Sequence, residues 1–201
     1  PHIVFTGGEP TLREDITELL LHAEMNGQVT GLLTNGLLLG DKSYLDTLLD
    51  TGLDHLMLIF QFENETFMDA LQNSLAEDIF IAVHFTLNET NENELAEKIN
   101  LLSNIGVKAI SLSTTDQALS NSLERLREQV AERQLDLIWN LPVPYSSLNP
   151  IDFETEKRES ALGEGIAWLY VEPDGDVLQS QGVNRVLGNL LHDEWSSIWE
   201  D

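Results

Sequence analysis

The stretch IVFTGGEPTLRED, residues 3–15, joins an apolar strand-like run to the start of an acidic helix. Its junction is Gly7-Gly8-Glu9-Pro10. Glycines at a strand end allow positive φ and let a ligand approach the backbone, and Pro10 restricts Glu9 to an extended conformation. The Glu9 carboxylate can accept hydrogen bonds from an ammonium group or from neighbouring amides. The stretch therefore predicts a rigid turn suited to a cationic amine, although an ordinary strand–helix turn has the same glycines.

Around this turn, apolar strand-like runs alternate with helical patterns. The strand-like runs are residues 3–6, 29–34, 55–61, 79–87, 107–113 and 135–141. The helical patterns are residues 13–25, 42–50, 65–75, 93–103 and 117–134. Because the runs are apolar on both faces, we expect an α/β fold with a parallel sheet covered by helices, either a barrel or an open sheet. Ligands of such folds bind at the carboxyl ends of the strands, where this chain places polar residues 6–10, 34–36, 61, 84–91 and 111–115.

The pattern changes near Pro142, which predicts three parts: a core at 1–141, a linker at 142–163 and a tail at 164–201. The linker contains three prolines and no helical stripe until near its end. In the tail, Pro173-Asp174-Gly175-Asp176 predicts a hairpin turn between two strands. A short helix follows, and Trp195, Ile198 and Trp199 would form its apolar face.

Charge and composition exclude several classes of function. The chain has 35 Asp and Glu against 10 Lys and Arg, a net charge of −25, which argues against nucleic acid and anionic membranes as partners. It has no cysteine, so it cannot itself supply thiolate ligands for iron or zinc. No run approaches the roughly 20 apolar residues of a membrane span. We expect a cytoplasmic protein.

The string FTGGEPTLRED, followed by a strand ending in LLTNG, resembles the radical S-adenosylmethionine (radical SAM) family. The segments LAEDIFIAVHFTLNETN and IGVKAISLS resemble that family's fifth and sixth strands. The end of the chain, YVEPDGDVLQSQGVNRVLGNLLHDEWSSIW, resembles the C-terminal segment of its SPASM/twitch subgroup. The resemblance implies a partial (β/α)6 TIM-like barrel plus a C-terminal β-hairpin–helix segment, with a turn at Gly188-Asn189 between the hairpin and the helix. It places GGEP at the end of the family's second strand, so we expect the first β-α unit to be absent from this chain.

The resemblance also implies a set of residues that would bind S-adenosylmethionine. Gly7, Gly8 and Glu9 would meet the amino group of the cofactor, with Pro10 stiffening the turn. The floor would be Thr34 and Asn35. The ribose or carboxylate would be approached by His84 and Asn91, and the adenine by Ser111 and Ser113. The alternative for His84 is a hydrogen-bonded sheet histidine, and for the two serines plain strand positions.

Two departures from the family concern its iron–sulfur clusters. The CxxxCxxC loop that holds the family's 4Fe-4S cluster lies upstream of GGEP, whereas here only six residues precede Gly7. Ser180 stands where SPASM relatives usually carry a cluster-binding cysteine. The cluster expected for the family therefore has no ligands in this chain, and we expect the chain as it stands to be inactive in radical chemistry.

These observations leave two main hypotheses. One is the core of a radical SAM enzyme that modifies a peptide, a protein or a small molecule. The other is a degenerate, non-catalytic relative that serves as a binding or scaffold protein. A Schiff-base aldolase is disfavoured because Lys108 starts a strand, at the wrong end for catalysis, and the other lysines fall in helices or the linker. A divalent metal site among the acids stays open, and an exposed edge at the first strand favours self-association.

Overall fold

The computed structural model describes residues 1–61, 64–114, 116–138, 165, 168–180, 183 and 185–199. The chain forms two compact units, Pro1–Trp139 and Asn140–Asp201. The predicted linker, 142–163, lies outside the described residues. Among the helices that the structure describes, none has the length and apolar character needed to cross a membrane.

The first unit is built on a parallel sheet of six strands in the order β1-β2-β3-β4-β5-β6. The strands are β1 His2–Phe5, β2 Val29–Thr34, β3 His55–Ile59, β4 Phe80–Leu87, β5 Ala109–Thr114 and β6 Asp136–Ile138. The connecting helices are α1 Ile16–Met25, α2 Lys42–Leu49, α3 Glu65–Leu75, α4 Glu92–Ile105 and α5 Ser120–Glu132. Short 3-10 helices occur at Pro10–Leu12, Leu37–Gly40 and Gln117–Leu119. The predicted parallel α/β architecture is confirmed.

Helix α1 begins at Ile16, not at residue 13 as predicted. The cause is local, because Pro10–Leu12 forms a 3-10 turn and Arg13 after it is extended, with φ −76° and ψ 132°. The Arg13 guanidinium also donates two hydrogen bonds to the Asp15 carboxylate, at 2.9 and 2.8 Å. Pro10 therefore begins a tight turn after β1, and α1 starts only after that turn is complete.

Alternation along the strands gives the sheet two different faces. On β4, Val83 and Phe85 belong to the buried apolar cluster that the sheet forms with the helices. His84 lies between them in sequence, so its side chain is on the opposite face of the sheet. The same alternation on β5 separates Ile110, in the cluster, from Ser111. The helix-covered face is therefore apolar, and we call the opposite face, which carries the polar residues, the inner face.

Strand β1 lies at the edge of the sheet and pairs with β2 from His2↔Val29 to Phe5↔Leu32. Within the described ranges its other edge pairs with no strand. The sequence predicted this position, because it placed GGEP on an edge strand.

The second unit contains an antiparallel sheet of β7 Tyr170–Val171, β8 Asp176–Leu178 and β9 Val186–Asn189, followed by α6 Trp195–Ile198. The predicted hairpin and short helix are confirmed. The predicted Gly188-Asn189 turn is wrong, since both residues belong to a third strand that the sequence did not predict. Of the predicted apolar helix face only Ile198 is buried, whereas Trp195 is 54% exposed and stacks on Trp199.

Candidate functional site

The GGEP turn follows the carboxyl end of β1. Gly7 has a φ of +143°, which L side chains rarely adopt. Glu9 is extended, with φ −152° and ψ 104°, as its position before Pro10 requires. A Cβ built on Gly7 or Gly8 would meet no atom of the described chain within 4 Å, its immediate chain neighbours left aside. The turn therefore leaves open space beside its backbone.

The Glu9 carboxylate accepts four hydrogen bonds from the chain itself. Its Oε1 accepts from the Thr11 amide at 3.0 Å, the Thr11 hydroxyl at 2.5 Å and the Thr34 hydroxyl at 2.6 Å. Its Oε2 accepts from the Asn35 amide at 2.7 Å. The structure thus brings together Glu9, Thr34 and Asn35 through hydrogen bonds within the chain, and their contact with a cofactor stays a prediction. The Glu9 side chain ties the end of β1 to the end of β2.

Tyr44 and Gly36 extend this network through Thr11 and Thr34. The Tyr44 hydroxyl donates to the Thr11 carbonyl at 3.1 Å, and burial, with a smaller contribution from the Glu9 charge, raises the pKa of Tyr44. Thr34 Oγ1 also accepts from the Gly36 amide at 3.0 Å. Sequence reasoning missed both Thr11 and Tyr44. Thr11 lies two residues after Glu9, a spacing that could have predicted its hydrogen bonds to the carboxylate. Tyr44 is 33 residues from Thr11, so no local pattern predicted their contact.

Thr6 stands out at the same turn because its Oγ1 is buried and bonds no partner in the described chain. Phe5, its neighbour, packs against the helix-side core, so Thr6 is on the inner face. A buried hydroxyl without a partner costs about 1–3 kcal/mol. Thr6 directly precedes Gly7, so this unpartnered hydroxyl belongs to the same turn.

His84 is the centre of a hydroxyl cluster on the inner face. Its Nδ1 is 2.9 Å from Ser111 Oγ, and its Nε2 is 3.2 Å from both Thr86 Oγ1 and Ser113 Oγ. The residue is 1% exposed. Burial lowers the pKa of His84 to about 3, so the ring is neutral at physiological pH. These contacts are those of a hydrogen-bonded sheet histidine, the alternative that the sequence left open. A contact between His84 and a ligand stays a prediction.

Asn91 closes the loop after β4. Its Nδ2 donates to the Thr86 carbonyl at 2.8 Å, and its Oδ1 accepts from the Asn88 amide at 2.9 Å. Because both ends of the amide are bonded within the loop and the residue is buried, Asn91 supports the position of Thr86 beside His84. Its predicted approach to the cofactor stays a prediction.

In the tail, the carboxylates of Glu172, Asp174 and Asp176 lie within 4.8 Å of one another. Oxygen ligands at this spacing could hold a divalent cation. Asn189 Nδ2 already donates to Asp176 Oδ1 at 2.8 Å. Exposed acids commonly cluster without an ion, so the geometry alone assigns no metal. Ser180, at the position of the expected cysteine, is buried.

No protein-family model matches the chain. Three crystal structures of SuiB from Streptococcus suis are similar to it over 100% of its length. The structure bound to S-adenosylmethionine has a TM-score of 0.66 at 16% identity, and a second SuiB structure has 0.67 at 16%. The structure bound to precursor peptide SuiA has 0.67 at 15%.

The chain covers 54–55% of these SuiB chains and thus spans about half their length. At this level of identity the likeness shows a shared fold. It agrees with the partial barrel and tail that the radical SAM resemblance predicted. The chain therefore has the fold of SuiB.

Proposed function

We propose that the chain is the S-adenosylmethionine-binding core of a radical SAM enzyme that modifies a peptide. The observation that carries this proposal is the GGEP turn, where the Gly7–Gly8 backbone is open, Glu9 is held and a buried Thr6 hydroxyl has no partner in the described chain. Support comes from the shared fold with a SuiB structure bound to S-adenosylmethionine and another bound to a peptide.

In this proposal the cationic amine of the cofactor lies against the carbonyls of the turn. Thr34 and Asn35 form the floor, since Glu9 fixes both of them. The ribose and adenine lie towards the His84 cluster. There the neutral ring holds the hydroxyls of Thr86 and Ser113, and Ser113 is only half-buried.

An iron–sulfur cluster does not fit the residues of this chain. There is no cysteine among its 201 residues, so thiolate ligands would have to come from outside them. We therefore propose that the chain by itself is inactive in radical chemistry. The same observation, together with Ser180 in the tail, favours the second candidate, a non-catalytic S-adenosylmethionine-binding protein.

The charge of −25 supports a further part of the proposal, a cytoplasmic protein whose partner is neither nucleic acid nor an anionic membrane. The unpaired edge of β1 in the described sheet supports self-association. Size measurement by light scattering over a range of concentrations tests it, and a constant monomer mass would contradict it.

Calorimetry with S-adenosylmethionine tests the binding function. We expect weak binding, at best in the high-micromolar range of Kd, because no cluster iron is present to bind the amino and carboxylate groups. Gly7→Ala should weaken binding at least tenfold. Gly106→Ala is the matched control, because Gly106 also has positive φ, +104°, and no atom within 4 Å of a built Cβ, but it ends α4 away from strand carboxyl ends.

Equal binding by the two glycine variants, or no binding by the unaltered chain, would contradict the proposed function. Anaerobic reconstitution with iron and sulfide separates the chain's own capacity from that of a longer enzyme. We expect no stoichiometric iron and no charge-transfer absorbance on this chain. Stoichiometric cluster on the unaltered chain would overturn the view that its residues supply no cluster ligands.

A further inference from the structure

The GGEP turn presents two side chains with opposite hydrogen-bonding states. Glu9 carries a charge, and its two carboxylate oxygens accept four hydrogen bonds at 2.5–3.0 Å. Thr6 carries no charge, and its buried Oγ1 bonds no partner in the described chain. The turn therefore combines a carboxylate whose acceptor positions are taken with a hydroxyl that has no partner in the described chain.

We propose that Thr6 supplies the side-chain contact to the ligand's ammonium group and that Glu9 is a positioning residue for the turn. The inference rests on the proposed S-adenosylmethionine function and assigns the roles within that site. It departs from the sequence-based expectation, in which Glu9 itself meets the amino group.

The donors around Glu9 give the first reason. An ammonium group that approached the carboxylate would have to share acceptor positions with two hydroxyls and two backbone amides. Two of these donors are backbone amides, that of Thr11 just after the turn and that of Asn35 just after β2. Losing either would leave an amide without its partner, which is unfavourable where water is excluded. The carboxylate is therefore committed to the chain.

The position of Thr6 gives the second reason. It directly precedes Gly7, and a Cβ built on Gly7 would meet no atom within 4 Å apart from those of Thr6 and Gly8, its chain neighbours, which are not counted. The residue as a whole is only half-buried, and rotation about its Cα–Cβ bond moves the hydroxyl among three staggered positions. A hydroxyl accepts a hydrogen bond from an ammonium group, and the carbonyls of the turn can accept others.

The test compares two ligands by calorimetry on the full chain. S-adenosylmethionine carries the ammonium group, and 5′-methylthioadenosine lacks the amino-acid portion. Thr6→Val keeps the shape and removes the hydroxyl. It should weaken S-adenosylmethionine binding about tenfold and leave 5′-methylthioadenosine unchanged. Its melting temperature should be unchanged or higher, because the hydroxyl has no partner to lose.

Thr11→Val distinguishes positioning from direct contact by Glu9. If Glu9 positions the turn, this variant should weaken S-adenosylmethionine binding several-fold, while Thr11→Ser, which keeps the hydroxyl, should restore it. If the carboxylate bound the ammonium directly, removing a competing donor would leave the affinity unchanged or raise it. 5′-Methylthioadenosine is the control for general damage, because a purely structural defect would lower its affinity as well.

Unchanged S-adenosylmethionine affinity in Thr6→Val, or unchanged or tighter binding in Thr11→Val, would overturn the assignment while the binding function stood. Failure of the unaltered chain to bind either nucleoside would overturn the proposed function and this inference with it.

Discussion

Two turns of this chain combine an acid, a proline and a glycine of positive φ, and they are built in opposite ways. In the GGEP turn one carboxylate, that of Glu9, accepts four hydrogen bonds from donors of two strand ends. In the tail turn at residues 172–176, three carboxylates lie within 4.8 Å of one another, and an amide side chain, that of Asn189, bonds Asp176.

The difference shows that the hydrogen-bond donors around the acids, more than the number of acids, determine whether the charge of a turn is stabilising. Glu9 is surrounded by amides and hydroxyls, so its charge stabilises the turn. The tail acids are partly exposed and repel one another, so water and Asn189 must compensate. The contrast predicts opposite responses when the charge of each turn is changed.

The largest effect should come from Glu9→Gln. The Gln side chain has one accepting oxygen and a nitrogen that only donates, so it cannot accept from all four donors, and either the Thr11 or the Asn35 backbone amide loses its partner. We expect the free energy of unfolding of the first unit to fall by about 3 kcal/mol. Urea unfolding followed by circular dichroism measures this. Glu18→Gln, at an exposed position of α1, is the control, and a loss no larger than in that control would remove the distinction between the turns.

A smaller effect should come from Asn189→Asp. This change replaces the side-chain donor to Asp176 with a fourth carboxylate in the tail turn. The new carboxylate would also lie near Asp193, whose Oδ2 accepts from the backbone amide of residue 189 at 2.8 Å. We expect the tail to lose about 1–2 kcal/mol, with partial recovery in high salt. Amide exchange at residues 176–178 and 186–189 reports it. Unchanged exchange would show that the acids of the tail turn do not depend on Asn189.

His84 offers an intermediate case, a polar cluster without formal charge. Its folded pKa of about 3 lies below the ordinary 6.5, so the unfolded chain takes up the proton first as the pH falls. The contribution of His84 to stability is thus complete above pH 6.5 and is lost towards pH 3. Between pH 7 and 5 the loss should be about 2 kcal/mol.

Carboxylates also titrate at low pH, so the prediction concerns a difference between variants. His84→Asn should flatten the dependence of unfolding free energy on pH between 7 and 5, whatever its own stability. His22→Asn, at an exposed position of α1, should leave the slope as it is. Parallel slopes for the His84 variant and the unaltered chain would show that His84 titrates normally.

The smallest effect should come from Asp174→Asn. Asp174 is exposed, and among the residues that the structure describes its Oδ1 accepts one long hydrogen bond, from the Asp176 backbone amide at 3.3 Å. Removing its charge relieves repulsion from its two acidic neighbours. We expect a gain of up to about 0.5 kcal/mol, measured by thermal unfolding at low salt. A clear loss would mean that the tail turn, like the GGEP turn, relies on its charge.

The sequence predicted the parts of this fold that depend on periodicity. Residues 29–34 and 65–75 form the strand and helix at the predicted bounds, because apolar runs and a helical stripe are local signals. Strand β9 was missed because it is only four residues long and ends in Gly188-Asn189, a pair typical of turns.

The candidate site was predictable only in outline. Glu9, Thr34 and Asn35 were assigned to one site, and the structure brings them together. The direction of the Glu9 side chain depends on donors from two strand ends, which no single stretch of sequence displays. The unpartnered state of Thr6 is likewise a property of the folded surroundings.

The central claim is that S-adenosylmethionine binds at the GGEP turn, and a two-dimensional ¹H–¹⁵N NMR titration tests it most directly. The amide resonances of Gly7, Gly8 and Asn35 should shift as the cofactor is added, while that of Gly175 in the tail turn should stay in place. No shift at Gly7, Gly8 and Asn35 at millimolar cofactor, or shifts confined to the tail turn, would contradict the account.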